Sequence, residues 1–302
     1  MSTSYHVAVI GLGAMGMGAA RSCLRAGLTT YGIDLSEQAR SQLQQAGAAA
    51  VMADARPLAE TLDAVLLLVV NATQVRRILL GEEGLARHLK PGTAIMVSST
   101  IAAEEASSLA AELAQLGLPM LDAPVSGGAI KADAGEMTVM AAGADAAFDK
   151  LAPVLDAVAG KLYRVGSEPG QGSTVKIIHQ LLAGVHIAVA AEAMALASKA
   201  GVSLDLMYDV VTHAAGNSWM FENRMPRVLT GDYQARSAVD IFVKDLTLVA
   251  DTAKALRFPL PLASTALNMF LSASNAGHGQ EDDSAVIKTF SGITLPGQEE
   301  RP

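Results

Sequence analysis

The sequence is poor in cysteine and in aromatic residues. Its 302 residues include one cysteine, Cys23, and only 4% aromatic residues, which excludes an intrachain disulfide and a cysteine-rich metal site. Acidic residues outnumber basic ones and give a formal net charge of −8, so we expect no nucleic-acid partner. The first residues lead into an apolar strand without a basic or long apolar leader, and the expected compartment is therefore the cytoplasm.

A glycine motif follows the first predicted strand. The strand Val7–Ile10 runs into Gly11-x-Gly13-x-x-Gly16, a predicted helix comes next, and the following strand ends at Asp34. Glycines between a strand and a helix let the backbone approach a pyrophosphate, and a carboxylate after the second strand accepts ribose hydroxyls. Asp34 would also repel a 2′-phosphate, so the predicted cofactor is NAD. The predicted cofactor loop consists of Gly11, Leu12, Gly13, Ala14, Met15 and Gly16.

Strand and helix patterns alternate through the first half of the chain, which predicts a doubly wound parallel sheet. The run Leu66–Val70 is apolar at every position, as expected of a central strand that is buried on both faces. After Gly166 the pattern becomes helical, with one long helix predicted over about 173–200. The predicted fold class is α/β: an N-terminal NAD-binding Rossmann domain over 1–168 and a C-terminal all-helical domain over 169–302, joined by that helix.

The helical half is strongly apolar. The stretch Leu181–Ala197 has the length of a membrane span, but it contains His186 and Glu192 and is rich in alanine, so we interpret it as a buried helix and expect no membrane association. These apolar helices exceed what a small domain can bury. We therefore expect a homodimer or homotetramer whose contacts lie in the helical domain.

A second glycine cluster follows another predicted strand. Ser126, Gly127 and Gly128 lie just after Asp122, at the edge of the sheet where open α/β folds bind ligands. Their amides and the serine hydroxyl could hold a substrate carboxylate. Alternatively, the loop needs its glycines for shape alone.

Lys176 is the only charged residue between Glu168 and Glu192. Burial lowers a lysine's pKa, and a lysine tuned towards neutrality can accept and return a proton. His179 and Gln180 follow three and four positions later on the same helix face and could hold a substrate hydroxyl. The alternative is an ordinary surface lysine.

Taken together, these motifs resemble the β-hydroxyacid dehydrogenase family over about residues 5–292. The resemblance rests on four motifs: VIGLGAMG, DAPVSGG with the following TVM, the helix that contains Lys176, and Lys244-Asp245-Leu246. The resemblance implies that Lys176 transfers the proton and that Ser126–Gly128 holds the substrate carboxylate. It also implies that Asn71, Thr100 and Lys244 contact the cofactor, and that the substrate is a small hydroxy acid.

One departure bears on the substrate. The family usually has Lys-x-x-Asn-Asn on the catalytic helix, whereas Lys176 is followed by His179 and Gln180. With the segment Thr212–Arg224, this pair resembles the branch that oxidises the four-carbon sugar acid L-threonate at C2 with NAD. His179 could instead be a core histidine, and Lys244 could pair with Asp240 at i,i+4.

Other functions stay open at this point. A reductase for 3-hydroxyisobutyrate or a short semialdehyde is the nearest alternative. A phosphogluconate dehydrogenase should have a longer helical domain, and imine reductases generally lack the lysine. A non-catalytic NAD-sensing protein has no reason to keep Lys176 beside a Ser-Gly-Gly loop. No metal is expected, because no histidine, cysteine or aspartate cluster has ligand spacing.

Overall fold

The computed structural model describes residues 4–296. The chain divides into two compact units between Lys176 and Ile177. This boundary lies further along the chain than the one expected at 168/169. The first unit contains a sheet with helices, and the second consists of helices.

Within residues 4–296, the strands form one sheet in the order β3-β2-β1-β4-β5-β6-β8-β7, with β9 beside β8. From β3 to β6 every neighbouring pair is parallel, which is the Rossmann strand order 3-2-1-4-5-6. β8 runs antiparallel to β6 and β7 and parallel to β9. The strands are β1 (His6–Ile10), β2 (Thr29–Ile33), β3 (Ala50–Met52), β4 (Ala64–Leu67), β5 (Ala94–Val97), β6 (Met120–Asp122), β7 (Val125–Ser126), β8 (Met137–Ala142) and β9 (Ala159–Gly166).

Helices cover both faces of this sheet. Leu66 of β4 packs in one apolar cluster, while its neighbours Val65 and Leu67 pack in another. Successive side chains of a strand point to opposite faces, so a strand covered on both sides reads as continuously apolar. The helices of the first unit are α1 (Ala14–Arg25), α2 (Glu37–Gln45), α3 (Ala72–Leu80), α4 (Ala103–Gln115), α5 (Gly128–Ala134) and α6 (Asp145–Val158).

Cys23 lies in α1 and is fully buried. Burial raises the pKa of its thiol to about 12. The thiol therefore stays protonated at neutral pH and packs as a small apolar side chain.

The long helix α7 (Gln171–Lys199) runs from the first unit into the second. The second unit has its own apolar core, in which Ile187 and Met194 of α7 are fully buried. The other elements of this unit are α8 (Leu204–Thr212), α9 (Trp219–Thr230), α10 (Val239–Ala255), α11 (Pro261–Ala273), a π-helical turn over Ser274–His278 and a 3₁₀ helix over Asp283–Thr289.

By length and composition alone, α7 could cross a membrane. Half of its most apolar window is nevertheless buried inside the protein. A core helix passes the same length test, and the burial favours that interpretation.

Several elements differ from the sequence prediction. The sheet is mixed, because β8 runs against β6. The strand predicted over the apolar run Leu66–Val70 ends at Leu67. Helix α6 was missed, since Pro153 lies inside it and proline is a poor residue for a helix interior. β3 was missed because it is short and only half-buried.

Candidate active site

The glycine loop lies between β1 and α1. Gly11 has φ +90°, and a Cβ there would lie 2.6 Å from the Leu68 carbonyl oxygen, so a larger residue would be strained and displaced. A Cβ on Gly16 would overlap the Gly11 oxygen. A Cβ on Gly13 would meet nothing within 4 Å, which leaves open space against the backbone where α1 begins. This is the cradle that a pyrophosphate requires.

Asp34 follows β2 beside this loop. Its Oδ2 accepts the Leu12 amide at 2.6 Å, and its Oδ1 accepts the Ser36 amide at 2.7 Å. Each carboxylate oxygen has more than one acceptor site, so both can still bind ribose hydroxyls. The Arg40 guanidinium donates to the backbone carbonyls of Asp34 and Leu35 and so fixes the turn.

Two further predicted cofactor residues lie at the ends of neighbouring strands. Asn71 comes shortly after β4 and caps α3, where its Oδ1 accepts the Gln74 amide at 2.9 Å. Thr100 comes shortly after β5. Next to it, the Ser99 hydroxyl accepts the Val69 amide at 3.1 Å and joins the ends of the two strands. All the predicted cofactor residues of the first unit therefore lie at the carboxyl edge of the parallel strands.

The Ser-Gly-Gly loop lies at the same edge. Ser126 ends β7, and Gly128 begins α5. Gly127 has φ +129° and Gly128 has φ +71°, so the turn needs backbone conformations that glycine adopts readily. The geometry leaves both earlier interpretations open: a carboxylate site, or a loop whose glycines serve its shape.

Helix α5 packs directly on the cofactor helix α1. A Cβ on Gly18 would lie 2.5 Å from the Asp133 amide nitrogen, so only glycine allows this approach. The Ser22 hydroxyl donates to the Ala132 carbonyl at 2.9 Å across the contact. The helix that follows the Ser-Gly-Gly loop is thus packed against the helix that begins at the cofactor loop.

Asp122, at the end of β6, holds the start of α7. Its Oδ2 accepts the amides of Gly170 and Ser173, each at 2.8 Å, and its Oδ1 accepts the Ser173 hydroxyl at 2.7 Å. Burial raises the pKa of this carboxyl, and the three hydrogen bonds oppose that rise. Because Lys176 lies one turn after Ser173, Asp122 fixes the part of the helix from which the lysine projects.

The structure places Lys176 inside the protein, with 6% of its surface exposed. The surface-lysine alternative is therefore wrong. A lysine is rarely buried to this extent without a partner or a function.

In the second unit, hydrogen bonds and one ion pair link four side chains that we call the Asp245 network: His179, Gln180, Asp245 and Lys244. Gln180 Nε2 donates to Asp245 Oδ2 at 2.5 Å, and Gln180 Oε1 lies 3.0 Å from His179 Nδ1. Lys244 Nζ lies 2.6 Å from Asp245 Oδ1. Asp240, considered above as a partner for Lys244, accepts hydrogen bonds from Ser274 and Gln280.

Sequence reasoning assigned no role to Asp122 or Asp245. Asp122 was visible in the DAPVSGG block, but nothing in the sequence indicated that it reaches residues 170–173. Asp245 stands beside Lys244, and its contact with Gln180 depends on the packing of α10 against α7. Within residues 4–296, no group of three or more histidine, cysteine, aspartate or glutamate side chains is arranged to hold a metal.

Two family models together match most of the chain. Residues 6–166 match the family model of the NAD binding domain of 6-phosphogluconate dehydrogenase. Residues 170–290 match a second family model, which is described as the NAD-binding part of NADP-dependent 3-hydroxyisobutyrate dehydrogenase. The chain belongs to the β-hydroxyacid dehydrogenase family. It is therefore an NAD-binding oxidoreductase built as a Rossmann domain followed by a helical domain, as the sequence predicted.

Members of this family are similar over nearly the whole chain. The L-threonate dehydrogenase of Escherichia coli O6:H1 is 72% identical over 295 residues, 98% of each chain. The enzyme of the same name from Cupriavidus necator is 54% identical and covers 98% of this chain and 100% of its own. A crystal structure from Salmonella typhimurium, described as a 3-hydroxyisobutyrate dehydrogenase, is 69% identical, covers 95% of this chain and 100% of its own, and superposes with a TM-score of 0.92.

Proposed function

We propose that this dehydrogenase oxidises L-threonate at C2 to 2-dehydro-L-erythronate with NAD, with Lys176 as the general acid and base. The observation that carries the proposal is Lys176, buried on a helix whose next turn presents His179 and Gln180. The L-threonate dehydrogenases that resemble this chain over its full length support the same substrate.

The residues of this chain fit distinct roles in that reaction. The cofactor loop and Asp34 bind the dinucleotide, with Asn71, Thr100 and Lys244 as further contacts. We assign these residues to the Rossmann domain over 1–168, apart from Lys244, which belongs to the helical domain over 169–302. The Asp34 carboxylate favours NAD because it would repel a 2′-phosphate.

The substrate is held by its carboxylate and its hydroxyls. Ser126, Gly127 and Gly128 bind the carboxylate through the serine hydroxyl and backbone amides. Lys176 accepts the proton of the C2 hydroxyl as the carbonyl forms, and its ammonium then polarises that carbonyl. Bound NAD supplies the hydride acceptor for C2. His179 and Gln180 bind hydroxyls further along the four-carbon chain.

A second candidate activity is the oxidation of 3-hydroxyisobutyrate, because the similar Salmonella protein bears that description. The test is NADH formation by the purified protein with L-threonate, D-threonate, both glycerates and 3-hydroxyisobutyrate, measured side by side. We expect kcat/KM for L-threonate to exceed that for the glycerates and for 3-hydroxyisobutyrate by at least about tenfold, since a site built to bond hydroxyls rejects acids that lack them. A preference for 3-hydroxyisobutyrate would refute the proposed substrate and leave the family unaffected.

The role of Lys176 has its own test. Lys176→Met should lower kcat by roughly 10²–10⁴-fold, the usual contribution of general acid–base catalysis, with little change in NAD binding. Lys161→Met, at an exposed position of β9, is the matched control and should keep full activity. Undiminished turnover in Lys176→Met would remove the lysine from the mechanism.

We also propose that the protein acts in the cytoplasm as a homodimer or homotetramer. In the second unit, α7 exposes apolar side chains at a spacing of 4, 7 and 7 residues: Ile178, Leu182, Val189 and Leu196 are 53–68% exposed. A stripe at this spacing is typical of a helix–helix contact between subunits. Sedimentation equilibrium should show an oligomer that Leu182→Glu weakens; a wild-type monomer at micromolar concentration would contradict the proposal.

A further inference from the structure

The Asp245 network contains a carboxylate with no assigned role. Asp245 is 2% exposed and Gln180 is 7% exposed, so the contact between them is shielded from water. A buried carboxylate is costly unless its oxygens are bonded. Here Oδ2 accepts a hydrogen bond from Gln180, and Oδ1 forms an ion pair with Lys244 in place of a hydrogen bond.

This contact fixes the orientation of the Gln180 side chain. A carboxylate oxygen only accepts hydrogen bonds, so the amide atom 2.5 Å from it must be the NH₂ group. The amide oxygen Oε1 then necessarily points the other way, towards His179 Nδ1 at 3.0 Å. Asp245 therefore determines which end of the amide His179 meets.

The orientation of Gln180 in turn selects the tautomer of His179. Because Oε1 can only accept, Nδ1 must carry the proton of the imidazole ring. In a neutral ring the other nitrogen, Nε2, then has a lone pair and is an acceptor. His179 lies three residues after Lys176 on α7, so its ring belongs to the helix face that carries the proton-transfer lysine.

We propose that Asp245 is a positioning residue that, through Gln180, makes His179 Nε2 a hydrogen-bond acceptor for a hydroxyl of the substrate. This inference rests on the proposed function and deepens it. A substrate hydroxyl donates to Nε2, whereas an acid with a methyl group at that place has no proton to donate there. The Asp245 carboxylate, which does not touch the substrate, thus gives the site its preference for polyhydroxylated acids.

The direct test is a two-bond ¹H–¹⁵N spectrum of the full-length protein labelled with ¹⁵N-histidine. The signal of His179 is assigned by its loss in His179→Gln. We expect a neutral ring protonated at Nδ1 and unprotonated at Nε2. A ring protonated at Nε2, or at both nitrogens, overturns the inference, and this result needs no Asp245 variant to fold.

Variants at Asp245 separate positioning from packing. Asp245→Leu keeps a similar volume but frees Gln180 to turn. It should shift His179 towards the Nε2-protonated form and raise KM for L-threonate about tenfold, with a smaller change in kcat. Asp245→Asn should restore most of the wild-type behaviour, because its amide oxygen can still accept from Gln180 Nε2. Asp240→Asn removes another carboxylate of α10 and should leave the tautomer and KM unchanged.

The outcomes distinguish this inference from the proposed function. If L-threonate is the substrate but Asp245→Leu leaves the His179 spectrum and KM unaltered, the positioning role is wrong and the function stands. If the tautomer is as expected and responds to Asp245→Leu while another acid is preferred, the network is as described and the substrate is wrong.

Discussion

The hydrogen bonds around Asp122 predict that its accepting oxygens, rather than its charge, stabilise the start of α7. Both amide donors, from Gly170 and Ser173, reach the same oxygen, Oδ2, while Oδ1 meets only the Ser173 hydroxyl. An asparagine can keep all three contacts: its oxygen takes the two amides, and its NH₂ donates to the hydroxyl, which can also accept. Burial raises the pKa of Asp122, so the ionised form gains little from the folded state.

The expected magnitudes follow from counting the donors. In Asp122→Ala two buried amides lose their acceptor, and at about 1–3 kcal/mol for each unsatisfied group the variant should lose about 2–6 kcal/mol of unfolding free energy. Asp122→Asn leaves every donor with an acceptor and should change the free energy of unfolding by less than about 1 kcal/mol. Because Lys176 lies one turn along the helix, Asp122→Ala should also lower kcat more than Asp122→Asn does.

Urea denaturation followed by circular dichroism, with kcat measured on the same samples, tests this reasoning. An asparagine variant as unstable as the alanine variant would show that the charge is required. An alanine variant within about 1 kcal/mol of wild type would show that Asp122 does not hold the helix.

Three other perturbations give measurable outcomes. Gly18→Ala places a methyl group 2.5 Å from backbone of α5; it should cost about 1–3 kcal/mol of stability and raise KM for the hydroxy acid, as read by urea denaturation and steady-state kinetics. Asp34→Ser removes the charge that opposes a 2′-phosphate and should lower the NAD-over-NADP preference in kcat/KM at least about tenfold; an unchanged preference would contradict the ribose contact. Burial acts to raise the pKa of Asp282, but Arg227 and Ser284 outweigh it and lower that pKa below 3.8, so its contribution to stability is complete above pH 3.8 and is lost as the pH falls through the folded-state value. In Arg227→Gln, the urea concentration at the unfolding midpoint should therefore depend less on pH in the acidic range than it does in the wild type.

The sequence predicted most of what lies in local patterns. The glycine loop, the strand that ends at Asp34 and the apolar run of β4 each have a spacing that one kind of element explains. The antiparallel direction of β8 could not be predicted, because the apolar pattern of a strand does not depend on the direction of its neighbour.

The contacts that orient the proposed catalytic helix were not predictable for a related reason. Gln180 and Asp245 are 65 residues apart, and Asp122 and Ser173 are 51 apart. Each pairing exists only after the two elements have packed. Lys176 itself could be identified as a candidate because its apolar neighbours are adjacent along the helix.

Both of these aspartates are buried, and the physical cost of burying them argues for a role beyond stability. Replacing buried ionic groups by apolar residues of similar volume is often neutral or stabilising, so stability alone does not require a carboxylate at either place. In the first unit Asp122 holds α7 at Ser173, and in the second Asp245 holds it at Gln180. Ser173 and Gln180 stand about 10 Å apart along the helix, with Lys176 between them. Proton transfer needs its donor and acceptor within a few tenths of an ångström of the reactive geometry. We therefore interpret the two carboxylates as the means by which this chain fixes the axial position and rotation of the helix that carries Lys176.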